Sequence, residues 1–251
     1  MNVMEIETAS RLAWPALEEQ ELPFGVLRYA LGADRRANSL SVYPNVSFEN
    51  AELISVTENF FSRRSIAPTV KLLQPCVSSF EDVIAIDTAL ANRGYEKQSL
   101  THAMLLDLDE VALGDDSESC HELTVKAWLC AWYELTNRQA ENIAIHNITL
   151  AKINSPHLFL ANRNDEGRTL SSGMGVLACG ALGLFGIATA EAYRNKGHAS
   201  RILASLLKWG YSRGARYAYL QVEESNHAAL SLYQRWGFRK LYSYWYRVGN
   251  V

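Results

Sequence analysis

Cysteine is scarce in this chain, and the few copies present are far apart in the sequence. There are four cysteines, and no two of them form the C-x-x-C pair that structural zinc sites use. The sequence therefore argues against a zinc site and fits a reducing compartment. The cysteines are Cys76, Cys120, Cys130 and Cys179.

An excess of positive charge and long apolar segments are also missing. The formal net charge is −3, so the chain has no electrostatic footprint of a nucleic-acid-binding protein. No apolar run is long enough to span a membrane, and the acidic start of the chain does not look like a signal peptide. We therefore expect a cytoplasmic protein with no nucleic-acid partner and no membrane partner.

Two common nucleotide-binding motifs are absent as well. No G-x-G-x-x-G follows a predicted strand, which argues against a dehydrogenase, and no G-x-x-x-x-G-K-[ST] occurs, which excludes a P-loop NTPase. What the chain does have is 251 residues, of which 48% are hydrophobic. This is enough for one large domain or two modest domains, each with a core of its own.

The most informative segment is 194–199, which has the pattern R-x-x-G-x-A. It follows an apolar run and opens an amphipathic helix, whose first N–H groups and partial positive charge attract anions. Gly197 lets the backbone approach a ligand closely, and Ala199 keeps the first turn small. Arginine and lysine side chains around the same turn add positive charge. The segment therefore predicts a site for a pyrophosphate group.

The elements predicted downstream make this short motif more specific. The helix expected over 198–213 has apolar residues at helical spacing, and Gly214 is placed to end it. The segments that follow are, in order, an aromatic-rich strand at 217–222, a helix capped by Ser225 or Asn226 and ended by Gly237, and one or two strands over 238–248.

This order resembles the GNAT superfamily of acetyl-CoA-dependent N-acetyltransferases over residues 182–246. The glycine motif, Asn226 and the segment 232–238 (Leu-Tyr-Gln-Arg-Trp-Gly-Phe) occur in the family's order and spacing. The resemblance implies a mixed α/β fold, in which a mixed sheet flanked by helices is splayed between strands at 183–189 and 217–222. It also implies that acetyl-CoA lies in this V as cosubstrate, without a metal.

The resemblance also assigns the contacts to acetyl-CoA. The pantetheine arm would pair like an extra strand with the splayed strand, the pyrophosphate would rest on the backbone amides of the motif, and Asn226 would bind the arm. Asn226 is equally interpretable as a plain helix cap, and the basic side chains as solvated charges. The assigned residues are Ile187, Ala188, Thr189, Arg194, Asn195, Lys196, Gly197, His198, Ala199, Ser200 and Asn226.

Acetyl transfer needs a neutral amine, a polarised carbonyl and a proton or hydrogen bond for the departing thiolate. A backbone N–H near Ile187 is the predicted donor to the carbonyl oxygen. The family places its acid at the tyrosine that is Tyr233 here, and a phenol, with a reference pKa of about 10, can donate. The alternative is that Tyr233 is a core aromatic on the apolar face of its helix.

The sequence does not identify a general base. The splayed strand contains no carboxylate, although some members of the family have a glutamate there. Glu191, Glu223 and Glu224 stand just beyond predicted strands and could deprotonate the amine through a water. Each of them is also interpretable as a surface carboxylate, and an ordered water alone is the remaining candidate.

The first half of the chain carries a partial copy of the second. Segment 90–97 (Leu-Ala-Asn-Arg-Gly-Tyr-Glu-Lys) resembles 233–240 and precedes a strand-like segment, but no R-x-x-G-x-A occurs before residue 120. We therefore predict a degenerate GNAT-like domain without a cofactor site over 1–115, and a catalytic GNAT domain over 120–251. An unrelated α/β cap is the alternative for the first domain.

Further elements are expected in both predicted domains. They are paired strands at 24–31 and 38–43, a strand at 99–108, a polar linker at 113–119, helices at 123–137 and 138–153, and strands at 157–162 and 169–179.

Three functions fit these observations. The first is transfer of an acetyl group to a primary amine of a small molecule, by direct attack in a ternary complex. The second is acetylation of a protein N-terminus or lysine, and the third is a non-catalytic acyl-CoA-binding module. Tyr233 favours catalysis, and an extra domain covering the acceptor side favours a small acceptor. The sequence does not name the acceptor, and it leaves a homodimer open.

Overall fold

The computed structural model describes residues 1–44, 46–75, 81–111 and 120–250. The chain forms two compact units that interleave along the sequence. Unit 1 contains Met1–Pro15, Met104–Gln221 and Ala228–Arg239, and unit 2 contains Ala16–Ala103, Val222–His227 and Lys240–Val251. The linker predicted at 113–119 and Cys76 lie outside the described residues, and the domain bounds 1–115 and 120–251 stay a prediction.

The helices and strands alternate along most of the chain. In chain order they are α1 (Val3–Ala13), β1 (Glu18–Leu22), β2 (Gly25–Tyr29), β3 (Leu40–Val42), α2 (Asn50–Ser62), β4 (Thr69–Pro75), α3 (Glu81–Asn92), β5 (Glu96–Asp107), β6 (His121–Glu122), α4 (Val125–Thr136), α5 (Ile143–Leu150), β7 (His157–Arg163), β8 (Thr169–Ala178), β9 (Ala181–Thr189), α6 (His198–Ser212), β10 (Tyr217–Glu223), α7 (His227–Arg235) and β11 (Arg239–Val248).

Unit 1 is built on a mixed sheet with the strand order β10-β9-β8-β7-β6. The strands β7, β8 and β9 are antiparallel neighbours, whereas β9 and β10 run parallel because α6 connects them. Helix α6 buries the apolar residues that recur at helical spacing along it. The buried residues of α6 are Ile202, Leu203, Leu206, Leu207 and Gly210.

The strands of unit 2 are mixed in direction and follow the order β1-β2-β3-β4-β11-β5. The predicted pairing of 24–31 with 38–43 is observed as an antiparallel β2–β3 pair, in which Gly25 faces Val42. Strand β3 then runs parallel to β4, and the last strand of the chain, β11, lies antiparallel to β4. A separate apolar core includes Leu27, Leu53, Phe61, Leu72 and Leu90.

The same turn follows helix α7 and helix α3. In unit 1 the N–H of Phe238 donates to the carbonyl of Tyr233 at 3.0 Å, and in unit 2 Tyr95 donates to Leu90 at 3.0 Å. The intervening glycines, Gly237 and Gly94, have φ of 90° and 88°, a conformation that favours glycine. The similarity of 90–97 to 233–240 therefore reflects a shared local structure.

Candidate active site

The parallel pair of β9 and β10 opens into a V at the carboxyl ends of the two strands. Their ladder runs from the pair Tyr217–Ala181 to the pair Leu220–Leu184 and no further within the described residues. Both strands continue, β9 as far as Thr189. Beyond Leu184, β9 remains paired on its other edge with β8, so one edge of its backbone faces the V.

A β-bulge lies where the V begins. Ser172 pairs with Ala188 and Met174 with Phe185, so that two residues of β9, Gly186 and Ile187, face a single residue of β8. A bulge leaves its extra residue outside the ladder, which frees a backbone N–H. Gly186 has a left-handed φ of 58°, and a Cβ there would lie 2.5 Å from the Trp128 ring. Both the backbone conformation and the lack of space therefore require glycine.

The predicted pyrophosphate segment is the turn that enters α6. Gly197 is the N-cap residue, with a φ of 82°, and no side chain caps the helix. A Cβ on Gly197 would have nothing within 4 Å, so the space in front of the helix is open. Asn195 is also left-handed, with a φ of 61°. The first helix bond runs from the N–H of Arg201 to Gly197, so the amides of 198–200 precede the helical ladder.

Several side chains around this turn are basic or aromatic. Lys196 donates through Nζ to the carbonyl of Ala192 at 3.2 Å and lies 5.2 Å from the centre of the Tyr193 ring. The carbonyl of His198 accepts from Ser171 Oγ at 3.3 Å, which ties the helix start to β8. No acidic residue occurs in the first turn of α6. The charge and dipole at this helix start therefore favour an anion.

Tyr233 lies on α7 and is 7% exposed. Burial raises the pKa of its phenol to about 12, so the hydroxyl keeps its proton at neutral pH. The ring meets Phe238 edge to face with 6.0 Å between centroids. Trp236, which directly follows α7, donates through Nε1 to Ser200 Oγ in the first turn of α6 at 3.4 Å. The phenol and the predicted pyrophosphate turn therefore belong to neighbouring helices.

The remaining predicted residues occupy different surroundings. Thr189, at the end of β9, has a buried Oγ1 with no hydrogen-bond partner among the described residues. Asn226 is exposed and directly precedes α7. Of the candidate bases, Glu191 begins an exposed turn, Glu223 is exposed, and the carboxylate of Glu224 lies 3.5 Å from His102 Nε2.

An aromatic wall covers the face of β9 opposite α6, and the sequence interpretation missed it. Trp128 and Trp132 of α4 stack at 5.3 Å, and Trp14 meets Phe185 at 6.0 Å. A sequence signal existed for the bulge beside this wall, because an isolated glycine inside an apolar strand indicates a bulge. No comparable signal connected Trp14, near the start of the chain, with this place.

Two kinds of site are absent from the described residues. No group of three or more histidine, cysteine, aspartate or glutamate residues is arranged to hold a metal ion. No helix in the described ranges is sufficiently long and apolar to cross a membrane.

The sequence of this chain matches known proteins. Residues 117–238 match the model described as "Acetyltransferase (GNAT) family". The chain is also 23% identical over 252 residues to a protein of Bacillus subtilis (strain 168) named "Uncharacterized N-acetyltransferase YobR", with 98% of each chain covered.

The fold is shared with solved structures. A GCN5-related N-acetyltransferase from Kribbella flavida matches with a TM-score of 0.71 and 14% identity, over 100% of this chain and 97% of that one. A tandem GNAT protein from the clavulanic acid biosynthesis pathway gives a TM-score of 0.65 and 12% identity, over 98% of this chain and 88% of that one. The predicted fold class, a mixed α/β fold with GNAT-like halves in tandem, is confirmed.

Proposed function

We propose, from the membership of residues 117–238 in the acetyltransferase (GNAT) family, that this chain is an N-acetyltransferase. It transfers an acetyl group from acetyl-CoA to a primary amine of a small molecule, and the amine attacks directly in a ternary complex. The scattered cysteines, of which Cys120, Cys130 and Cys179 are free thiols, fit a reducing compartment such as the cytoplasm.

One observation carries this proposal. The ladder between β9 and β10 stops after Leu184, and the V that opens there lies in the same unit as an α6 start that no side chain caps. A strand edge offers backbone groups to an extended amide chain, and a helix start offers amides to phosphate. Acetyl-CoA has both parts, a pantetheine arm with two amides and a pyrophosphate.

The residues of the V have separate roles in this proposal. Ala188 and Thr189 pair with the pantetheine arm, to which Asn226 adds a hydrogen bond, and the buried Oγ1 of Thr189 gains a partner. The freed N–H at Ile187 donates to the carbonyl oxygen and to the oxyanion that forms from it. The pyrophosphate rests on the turn formed by Arg194, Asn195, Lys196, Gly197, His198, Ala199 and Ser200.

Tyr233 supports the departure of CoA. The nitrogen lone pair attacks the thioester carbon, the C–S bond breaks with its electrons staying on sulfur, and the amine proton leaves to water. A phenol with a pKa of about 12 does not fully protonate a thiolate, whose reference pKa is about 8.5. Tyr233 therefore acts by a hydrogen bond that strengthens as negative charge develops on sulfur.

A thiol-release assay tests the function. Purified protein with acetyl-CoA is offered arylalkyl amines, amino acids, polyamines, aminoglycosides and peptides, and the product mass is measured. We expect CoA release with a matching gain of one acetyl group on at least one small amine. Turnover of peptides alone would favour the protein acetyltransferase, and acetyl-CoA binding without any turnover would favour a binding module.

A further inference from the structure

Two tryptophan rings of α4 meet β9 at its bulge. A Cβ on Gly186 would lie 2.5 Å from Cζ2 of Trp128 and 3.2 Å from Nε1 of Trp132. The first ring therefore turns carbon atoms toward the bulge, and the second turns its nitrogen. Because Gly186 and Ile187 form the bulge, this indole nitrogen lies beside the segment in which a backbone N–H is released from the ladder.

The indole nitrogens of both rings lack a hydrogen-bond acceptor. Nε1 of Trp128 is buried and has no partner among the described residues. The side-chain hydrogen bond recorded for Trp132 uses its backbone carbonyl, which accepts from Thr136 Oγ1 at 2.6 Å, so its ring nitrogen is unpaired within the described ranges. Trp132 is 7% exposed. Since an unmade hydrogen bond of a buried N–H is costly, an oxygen atom of a ligand would be bound favourably there.

The ring of Trp132 is held in place by its neighbours. It stacks on Trp128 with 5.3 Å between centroids and 10° between planes, and Trp14 meets it edge to face at 6.0 Å. Helix α4, which carries both stacked rings, is capped by Thr124, whose side chain accepts from the N–H of Ala127. A donor that is fixed in this way needs no reorganisation when negative charge develops beside it.

A positive charge lies over the same ring. Cζ of Arg138, an exposed residue just beyond the end of α4, is 4.5 Å from the centre of the Trp132 ring. The edge of an aromatic ring is already positive, and a cation over the face draws further electron density away from the edge. The guanidinium therefore makes the indole N–H a stronger donor to a negatively charged oxygen.

We propose that the indole N–H of Trp132 is a second donor to the thioester oxygen of acetyl-CoA, beside the N–H of Ile187. When the amine lone pair attacks the carbonyl carbon, the π electrons of C=O move onto this oxygen. They return as the C–S bond breaks with its electron pair on sulfur, and the amine proton leaves to water. Both donors bind most strongly while the oxygen is charged, which lowers the barrier. This inference rests on the proposed function and adds α4 to the catalytic elements.

The first test compares Trp132→Phe with Trp209→Phe. Trp209 of α6 is a matched control, because it lies in the same unit and has Arg213 at 4.8 Å from its ring centre. For Trp132→Phe we expect kcat to fall about 10²-fold, as for the loss of one oxyanion donor, with the Kd of acetyl-CoA within about threefold. The control should keep its kcat within about twofold. A folded Trp132→Phe protein with wild-type kcat and rate-limiting chemistry would overturn the inference.

Infrared difference spectroscopy distinguishes a donor from a residue that only supports the fold. The probe is bound acetyl-CoA with carbon-13 in the thioester carbonyl, without an amine. We expect a lower carbonyl stretching frequency in the wild type and in Trp209→Phe than in Trp132→Phe, because a hydrogen bond weakens the C=O bond. Equal frequencies in all three proteins would contradict the inference.

A further measurement uses the wild-type chain and holds if Trp132→Phe does not fold. The chain contains six tryptophans, and labelling them with nitrogen-15 makes each indole N–H visible by NMR. The signal of Trp132 is assigned through its proximity to the Gly186 backbone. Acetyl-CoA should shift this signal downfield relative to CoA, which lacks the carbonyl oxygen. A signal at the same position in both complexes would refute the role of Trp132.

The role of the cation is tested by Arg138→Gln, with Arg213→Gln as its control. We expect kcat to fall about two- to fivefold in the first variant only, because a weaker donor remains. An equal loss in both variants would contradict the contribution of the stacked cation. Acetylation of an amine without any of these effects refutes the inference alone, whereas the absence of any acetylated amine refutes the proposed function.

Discussion

Units 1 and 2 repeat one order of strands and helices, but their equivalent helices begin in opposite ways. Helix α6 begins at Gly197, with no acidic residue in its first turn. Its counterpart α2, which likewise follows the first strand of a parallel pair, has Glu49 as N-cap and Glu52 in the first turn. Negative side chains satisfy a helix start and repel phosphate. We therefore predict a phosphate site at the start of α6 and none at the start of α2.

The last helices of the two repeats, α7 and α3, also differ, and so do the places where their parallel strands separate. Tyr233 of α7 offers a phenol, whereas Leu90, at the matching place in α3, is fully buried and has no polar atom on its side chain. At the place that corresponds to the V between β9 and β10, unit 2 has a cleft with an apolar lining. The residues that line this cleft are Val42, Tyr43, Pro44, Val46, Phe48, Leu72, Leu73, Val83 and Ile86. A polar cosubstrate would lose its hydrogen bonds there.

The largest effect is expected from Gly197→Val. The left-handed φ of 82° strains any β-branched residue, and the new methyl groups would occupy the space in which we propose that phosphate binds. Wild-type protein should gain about 2.7 kcal/mol of stability at a hundredfold excess of acetyl-CoA over Kd. The variant should gain almost none, since its affinity should fall at least about 100-fold. Thermal melting with and without acetyl-CoA measures both.

Gly180→Val is the matched control for this experiment. Gly180 has a φ of 74° and open space around it, and it lies in the turn between β8 and β9, at the end of β9 opposite the V. Its replacement imposes similar strain away from the α6 turn. Equal loss of acetyl-CoA binding in both variants would mean that strain, and not the phosphate site, is being measured.

A smaller effect, a loss of turnover, is expected from Tyr233→Phe, which deletes only the hydroxyl. Turnover should fall about 10²- to 10³-fold while the Kd of acetyl-CoA changes less than about threefold, because the hydroxyl acts on the departing thiolate. Since burial raises the pKa of Tyr233 to about 12, its loss should not remove any limb of the pH–rate profile between pH 6 and 10. Tyr211→Phe, at an exposed tyrosine, is the control. A wild-type kcat with chemistry rate-limiting would make Tyr233 a core aromatic.

Asp87→Asn in unit 2 should lower stability without affecting the V. Burial raises the pKa of Asp87, but hydrogen bonds from Arg247 at 2.6 and 2.7 Å and from Trp245 at 2.6 Å outweigh burial and lower the pKa below 3.8. The stabilisation is therefore complete above the carboxyl's unfolded pKa of about 3.9 and is lost as the pH falls through the lower folded value.

The expected cost of Asp87→Asn is about 2 kcal/mol at pH 7, shrinking toward pH 3. Urea unfolding at the two pH values measures it, with the exposed Asp165→Asn as control. The Kd of acetyl-CoA should stay within about twofold at pH 7. A cost that grows toward acid would contradict the assigned sign.

The second half of the fold was predictable because its signals are local. Helix α6, strand β10 and helix α7 follow one another with short turns, and Gly214 and Gly237 mark the helix ends with φ of 85° and 90°. The predicted strand at 99–108 begins earlier than expected, at Glu96, since the element includes polar residues that periodicity does not register.

Other features depend on contacts between distant parts of the chain. No periodicity indicates that β11 pairs with β4, or that α1 packs in unit 1 while the residues just after it belong to unit 2. Glu7 of α1 is only 7% exposed because of that packing, although glutamate is rarely buried in folded proteins. The candidate base could not be chosen from sequence for the same reason.

The stoichiometry of acetyl-CoA binding tests the difference between the two units most directly. Isothermal titration of the wild-type chain should give one acetyl-CoA per chain, because the V of unit 1 is accompanied by a helix start free of acidic residues, whereas α2 of unit 2 has Glu49 and Glu52 at its start. The same titration of Gly197→Val should give no measurable binding. Two molecules per chain, or one molecule whose binding survives Gly197→Val, would contradict the account.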